Sequence, residues 1–449
     1  MTVHILVPEW VPLENKGEEA IVRGMGDIVC PDGDYEIHLF DMVENYEFRD
    51  GIHVYPLNWF MYEWHNSEFG LNWNYERLLA SSQSLVRNIL HKLAPGWVTF
   101  KTRRLKQRMK LLRKLKYESA NNNVLIGIEN LLKIDVIIAG HDGGLDERVA
   151  HFIDEYLSIF DVPLWIFGVE FPNKFKSRYI AKEIERSLSS TRAVLCRTEA
   201  SRQSVLTHMP SFTPEVNPDP AFSMEPMDRE DVLLALDQYG LSQVFNNGAI
   251  CVSTCETGPI ARYCFPGFTD PSARLDAHRQ FLADVLSYAV QEFDKEIVFL
   301  PHALGPGAAL NDIMVASAVR EKMSSEAKNR THILNEDLPA KLLKGIIRES
   351  DFMISERIHA MIGAVGVATP FLCLGSETDR RIKGILAEFA GCGDQVVYMN
   401  RPDLEETLRV LSRAYSNRVK ITKSLEQVSS RFRKMHKEVG DSIRLSLQE

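Results

Sequence analysis

Ten short apolar runs recur along this 449-residue chain with helical patterns between them, and that alternation constrains the fold more than any other feature. The runs are "VHILVP" (3–8), "YEIHLF" (35–40), "DVIIAG" (135–140), "PLWIFGV" (163–169), "AVLCR" (193–197), "AICVS" (249–253), "EIVFLPH" (296–302), "DFMIS" (351–355), "FLCLG" (371–375) and "QVVYM" (395–399). Helical patterns fall at 176–189, 277–292, 312–323, 339–349 and 404–416. Strands alternating with helices build right-handed βαβ units and parallel sheets. The series has one break: residues 211–246 are rich in Pro, Asp and Asn, and fresh strands start at Ala249. The expected fold class is therefore α/β, with two facing Rossmann-like domains and an inter-domain cleft. The boundaries expected are 1–225, a linker at 226–246, and 247–449, whose last helix crosses back to the first domain. Ligands in such sheets bind outside the carboxyl ends of the strands, which makes the cleft the expected site.

Residues 55–120 interrupt the alternation. "YPLNWFMYEWHNSEFGLNWNY" (55–75) holds three of the six tryptophans, suited to core, a lid or a sugar-stacking surface. "KTRRLKQRMKLLRKLK" (101–116) has nine basic residues and no acidic one, with Leu105, Met109, Leu112 and Leu115 at helical spacing. It predicts a basic amphipathic helix, either packed through its apolar stripe or docked on an anionic membrane surface or lipid phosphate. A net charge of -9 argues against a nucleic-acid binder. "MTVHILVPEW" lacks the basic and apolar regions of a secretory signal, and no uncharged apolar run is long enough for a membrane span. Seven cysteines at irregular spacing, with Cys251, Cys255 and Cys264 in and after one strand, predict buried thiols in a reduced, cytoplasmic protein. No metal-ligand spacing is visible, and no metal is expected.

The chemistry gathers at strand ends. In "SERIHAMIGAVGVATP" (355–370) an arginine and a histidine interrupt an apolar context. A strand ending near Ser355 and a helix starting near Ile358 put Arg357 and His359 at a helix N-terminus. Backbone N–H groups there attract anions, an arginine fork grips phosphate or carboxylate, and a histidine carries a proton near neutral pH. The bland alternative is a surface ion pair and a capping histidine. Arg197 in "LCRTEASRQSVL" (195–206) occupies the equivalent place in the first half. In "NKGEEAIVRGM" (15–25), Asn15 and Gly17 suit a turn into a helix. Glu18 beside them would repel phosphate but could contact sugar hydroxyls. "AGHDGGLDE" (139–147) offers Asp142, Gly143 and Gly144 at a strand end, where glycines admit a ligand to the backbone. "FLPHALGPG" (299–307) puts His302 at another.

In this order the motifs resemble the polysaccharide pyruvyl transferase family. The matching elements are "NKGEEAI" after the first strand, "AGHDGG", "CRTEAS" followed by "DPAF" (219–222), "LPH" with Asp312 downstream, and "SERIHAMIGAVGVATP" followed by Lys383. The most specific is the Arg-x-His strand end with its small-residue helix and the turn at Gly366–Pro370. The chain departs from the family at Glu18, where an aspartate is usual, at Thr198, where an acid is usual, and in the more polar "HDGG" (141–144). The resemblance implies a glycosyltransferase-B-like architecture, with phosphoenolpyruvate as donor substrate, no cofactor, and a sugar or lipid-linked oligosaccharide diol as acceptor, joined as a pyruvyl ketal. His359 is then the candidate general acid. Arg357 and Arg197 would hold the donor's anionic groups, and Glu356, Asp142 or another cleft carboxylate would take a hydroxyl proton, with no choice among them made by the sequence. Asn15, Gly17, Glu18, Asp142, Gly143, Gly144, His302, Glu356 and Lys383 are the expected substrate contacts. Peripheral membrane contact through 101–116 and no nucleic acid are the expected partner pattern. The rivals are a nucleotide-sugar glycosyltransferase of the same fold, with Glu377 as its only ribose-contact candidate, and a non-catalytic binding homologue.

Overall fold

The computed structural model describes residues 2–44, 46–57, 129–158, 160–175, 177–305 and 311–448. The amphipathic helix expected at 101–116, and all of the 55–120 stretch beyond Leu57, lie outside the described residues.

Each of two sheets gathers its own hydrophobic core. The first holds β1 (Val3–Trp10), β2 (Tyr35–Asp41), β3 (Glu47–Arg49), β4 (Ile52–Pro56), β5 (Val136–Ala139), β6 (Leu164–Val169), β7 (Val194–Cys196) and β8 (Pro214–Val216). They run in the order β3-β4-β2-β1-β5-β6-β7-β8, parallel except for the antiparallel edge strand β3. The second sheet holds β9 (Ile250–Ser253), β10 (Ile297–Phe299), β11 (Thr331–Ile333), β12 (Phe352–Ser355), β13 (Phe371–Gly375) and β14 (Val396–Tyr398), all parallel in the order β11-β10-β9-β12-β13-β14. That order reverses between β9 and β12, as it does between β1 and β5 in the first sheet. Ligand crevices open beyond the carboxyl ends at such reversals.

The inner strands are buried along their whole length, which explains their near-continuous apolar sequences. Helices start where side chains can take the free backbone N–H groups. Asp146, Ser177, Thr198, Asp270 and Asp403 each accept from an amide two or three residues on. At the end of the helix Pro271–Phe293, Asp294 turns left-handed (φ 52°) and stops it.

The chain divides differently from the expected 225/247 boundary. One unit comprises Met1–Val11, Val29–Asn217 and Gly440–Glu449; the other comprises Pro12–Ile28 and Pro218–Val439. Residues 226–246, expected as a linker, carry the helices Arg229–Gln238 and Ser242–Asn246 inside the second unit. The helix Lys16–Val29, expected in the first domain, clusters with the second as far as Ile28. The reason is local packing. A Cβ on Gly24 would stand 2.2 Å from the Pro220 carbonyl oxygen, and Asp27 accepts from Lys341 Nζ (3.0 Å) and the Glu225 amide (2.8 Å). Lys344 completes this layer. Buried in the second unit, its Nζ donates to the carbonyls of Ala221, Phe222 and Met224, one for each proton of an ammonium. Gly366 leaves room for that arrangement, since a Cβ there would meet the Phe222 oxygen at 2.5 Å and Lys344 Nζ at 2.8 Å.

Candidate active site

In the second unit, β12 ends at Ser355 and the helix Ile358–Gly366 begins three residues later. Arg357 is its N-cap, with extended backbone. The side chain crosses the sheet reversal toward β9, where Nε donates to the Thr254 carbonyl at 3.2 Å. Nε and Nη2 also grip Asp312, the first residue of the helix Asp312–Lys322. Asp312 is 2% exposed and accepts in addition from the amides of His302 and Ala303, both at 3.0 Å. One buried carboxylate thus fixes both the guanidinium and the loop after β10. Among the described residues this grip uses Nε and Nη2, and Nη1 makes no hydrogen bond.

His359 sits one turn-step into the helix, against the start of the helix Lys16–Val29. A Cβ on Gly17 would lie 2.2 Å from His359 Nδ1, so only glycine lets the two approach. Asn15 holds that helix start, its Oδ1 accepting from the Gly17 amide at 3.2 Å and its Nδ2 donating to Glu18 at 3.3 Å. The loop is zipped to the one after β10 by the Asn15–Ala303 bridge and by the Lys16 amide donating to the His302 carbonyl at 2.7 Å. Lys16, His302, Lys344 and His359 line a cavity of about 20 Å³, room for one water. His302 Nδ1 contacts Ser253 Oγ and the Leu300 carbonyl, both at 3.0 Å. Burial, and then the charges of Arg357, His359 and Lys16, push its pKa down to about 4 against the Leu300 carbonyl.

The first unit repeats the logic at its own reversal. Glu9, fully buried near the end of β1, accepts from the Gly140 amide after β5, and burial pushes its carboxyl up to about 7. Gly140 (φ 110°) must be glycine, because a Cβ would meet that of Val169 at 2.9 Å. Gly144 packs on Glu9, whose Cγ would lie 3.1 Å from an added Cβ, whereas Gly143 meets only the Glu170 oxygen at 3.8 Å. Asp142 takes a left-handed conformation (φ 47°) and pairs with Arg197. Thr198 caps the helix Glu199–His208 and donates to Glu170, so the carboxylate expected at position 198 is supplied from the end of β6.

Several expected contacts stand elsewhere. Arg197 is 0% exposed and committed to Asp142, so it braces that loop rather than presenting a free fork. Glu356 turns inward: it accepts from His278 Nε2 at 2.6 Å and the Cys255 amide at 2.9 Å, which removes it as a base open to substrate. Lys383 is 66% exposed beside Glu388 and lines no part of the cavity. Glu377 is exposed, its amide donating to Asn400. The sequence reading passed over Lys16, Glu9, Glu170 and His278. Glu9 and Glu170 each carry a signal, an acid directly after an apolar strand run.

Two sheets of this kind, each with its polar cluster at the strand reversal, define a glycosyltransferase-B-like fold. Over essentially the full length of both chains, the structure is similar to α,α-trehalose-6-phosphate synthase from Burkholderia multivorans (TM-score 0.52, 14% identity, 100% of this chain and 98% of that one). It is also similar to UDP-GlcNAc 2-epimerase from Neisseria meningitidis (TM-score 0.50, 11% identity, 99% and 100%). No curated protein matches the sequence. Residues 15–378 match the polysaccharide pyruvyl transferase family, and the chain belongs to it. Among the described residues no helix is long and apolar enough to cross a membrane.

Proposed function

We propose that this protein transfers the enolpyruvyl group of phosphoenolpyruvate onto two hydroxyls of a sugar, forming a ketal and releasing phosphate. The observation that carries the proposal is the Arg357 fork at the N-terminus of the helix that also carries His359. A three-carbon donor bearing a phosphate and a carboxylate needs a cationic fork and free backbone N–H groups of that kind. Imidazolium His359 adds a proton to the donor's methylene carbon. The central carbon gains oxocarbenium character, and one sugar hydroxyl attacks it and loses its proton. The carbon–oxygen bond to phosphate then breaks, and the Arg357 fork stabilises the leaving dianion. The second hydroxyl closes on the same carbon; one of the two hydroxyl protons restores His359 and the other leaves with phosphate or solvent.

Calorimetric titration with phosphoenolpyruvate is expected to give saturable binding, with no response to a panel of nucleotide sugars. The reverse pattern would overturn the donor assignment and favour glycosyl transfer on the same fold. Gly17→Ala is a finer probe. The added methyl must push the His359 ring aside, and a displacement of about 1 Å at a proton donor costs about 100-fold in turnover. The backbone at Gly17 is helical, so the melting temperature is expected to move little. Unchanged turnover in Gly17→Ala would remove His359 as the acid.

A further inference from the structure

At the other end of the first sheet, the amino ends of three strands bring four metal-ligating side chains together. His4, Glu36 and His53 are each the second residue of β1, β2 and β4, and His38 lies two residues beyond Glu36. Parallel pairing sets His4 opposite Glu36 and His38 opposite His53. Side chains in a strand alternate faces, so residues 36 and 38 share one, and their partners across the ladder share it with them. Their inward atoms all lie within 4.8 Å of one another. His4 Nδ1 stands 3.0 Å from His38 Nε2 and 3.3 Å from Glu36 Oε2, and His53 Nε2 stands 2.7 Å from Glu36 Oε2. Tetrahedral zinc with bonds of about 2.0–2.1 Å separates neighbouring ligand atoms by about 3.3 Å. The set closes around such an ion with small side-chain shifts.

The surroundings are those of metal-bound histidines. The outward nitrogen of His38 contacts Tyr55 Oη at 2.8 Å, and that of His53 contacts Tyr46 Oη at 2.6 Å. Asn130 Nδ2 donates to the same Tyr46 oxygen at 2.9 Å. With Nδ1–H donated to the tyrosine oxygen, each Nε2 turns its lone pair inward, and the ring orientation is fixed. His38 is 0% and His53 5% exposed, so a cation there would be shielded from water. Without one, a carboxylate oxygen and three inward imidazole nitrogens crowd together and must share protons to avoid lone-pair contact.

We propose that His4, Glu36, His38 and His53 form a structural site for a first-row divalent cation, zinc by preference. Three imidazoles and one carboxylate suit zinc and disfavour the oxygen-seeking calcium and magnesium ions. All four positions of a tetrahedron come from the protein, so no vertex is open for substrate or water. The site lies at the amino ends of the strands, whereas Glu9, Gly140 and Asp142 lie at or beyond the carboxyl ends. Its work is therefore to pin β1, β2 and β4 together.

The test uses the full chain, stripped with a chelator and titrated with Co²⁺ and then Zn²⁺. We expect one Co²⁺ per chain with the intense visible bands of tetrahedral cobalt, displacement by one equivalent of Zn²⁺, and a higher melting temperature with Zn²⁺ bound. Tyr55→Phe removes only the outer contact to His38 and should weaken Co²⁺ binding about 10–100-fold. His53→Gln and Glu36→Gln remove ligands and should abolish the tetrahedral bands. If His53→Gln does not fold, Glu36→Gln decides alone, because that side chain is 30% exposed and its loss leaves no buried gap. A folded wild type with no tetrahedral Co²⁺ bands overturns the proposal, as does Co²⁺ affinity unchanged by Glu36→Gln.

Discussion

Replacing Arg357 with lysine is expected to lower turnover of phosphoenolpyruvate by about 10²–10³-fold while the protein stays folded. Lysine keeps a positive charge near Asp312, so that carboxylate is not left buried and alone. It loses the planar fork that donates to Thr254 and Asp312 and that the proposed mechanism uses to hold the donor. Arg357→Ala would confound the reading, because breaking a buried ion pair costs about 3–5 kcal/mol and could unfold the second unit. Phosphate release and the melting temperature should be measured on the same preparation of Arg357→Lys. Turnover at the wild-type rate would mean that Arg357 serves only to hold Asp312 and the loop after β10.

The second large effect falls on stability. His278 lies in the helix Pro271–Phe293 and is 2% exposed, with Glu356 Oε1 at 2.6 Å and Glu256 Oε1 at 3.5 Å. Burial pulls its pKa down, but the two carboxylates outweigh burial and hold it up at about 10. His278→Gln leaves Glu256 and Glu356 without that charge and should cost about 3–5 kcal/mol at pH 6. The sign with pH follows from proton linkage. The folded protein keeps the His278 proton up to about pH 10, whereas the unfolded chain releases it near the ordinary value of 6.5. The folded state binds more protons in that window, so His278's contribution is complete below pH 6.5 and disappears as pH rises through 10. Denaturant midpoints at pH 6 and pH 9.5 should show a large penalty for His278→Gln at the first and a much smaller one at the second. Equal penalties at both would show that packing, rather than charge, is what His278 supplies.

The sheets were legible because their strands are buried on both faces and so appear as continuous apolar runs. β3, β8 and β11 escaped notice: each is three residues long, and "EFR", "PEV" and "THI" carry too little apolar sequence. β4 was hidden at the edge of the aromatic stretch. Arg357 and His359 were legible because polar residues interrupt an apolar run where a strand must end. Their supports were not. Neither the turning of Glu356 toward His278, 78 residues away, nor the pairing of Arg197 with Asp142 follows from local pattern. The four-ligand cluster was equally hidden, because His4, Glu36, His38 and His53 meet only once three strands take up register. Domain boundaries failed for a similar reason: the Gly24–Pro220 contact that assigns the helix Lys16–Val29 to the second unit has no signature at either position.

The interleaved division of the chain bears on its biosynthesis. Residues 12–28 leave the ribosome early but belong with a body that begins at Pro218, and residues 440–449 leave late but belong with the body that begins at the N-terminus. Vectorial synthesis ordinarily lets an N-terminal domain finish before the next one starts. Here neither body can close until the last helix has emerged. The early amphipathic segment must wait through some 200 residues of translation with its apolar face uncovered, a natural point for chaperone engagement. A single cut cannot release either half as a self-sufficient fragment. A fusion that joins residues 12–28 to residues 218–439 is the form in which the second half should fold alone.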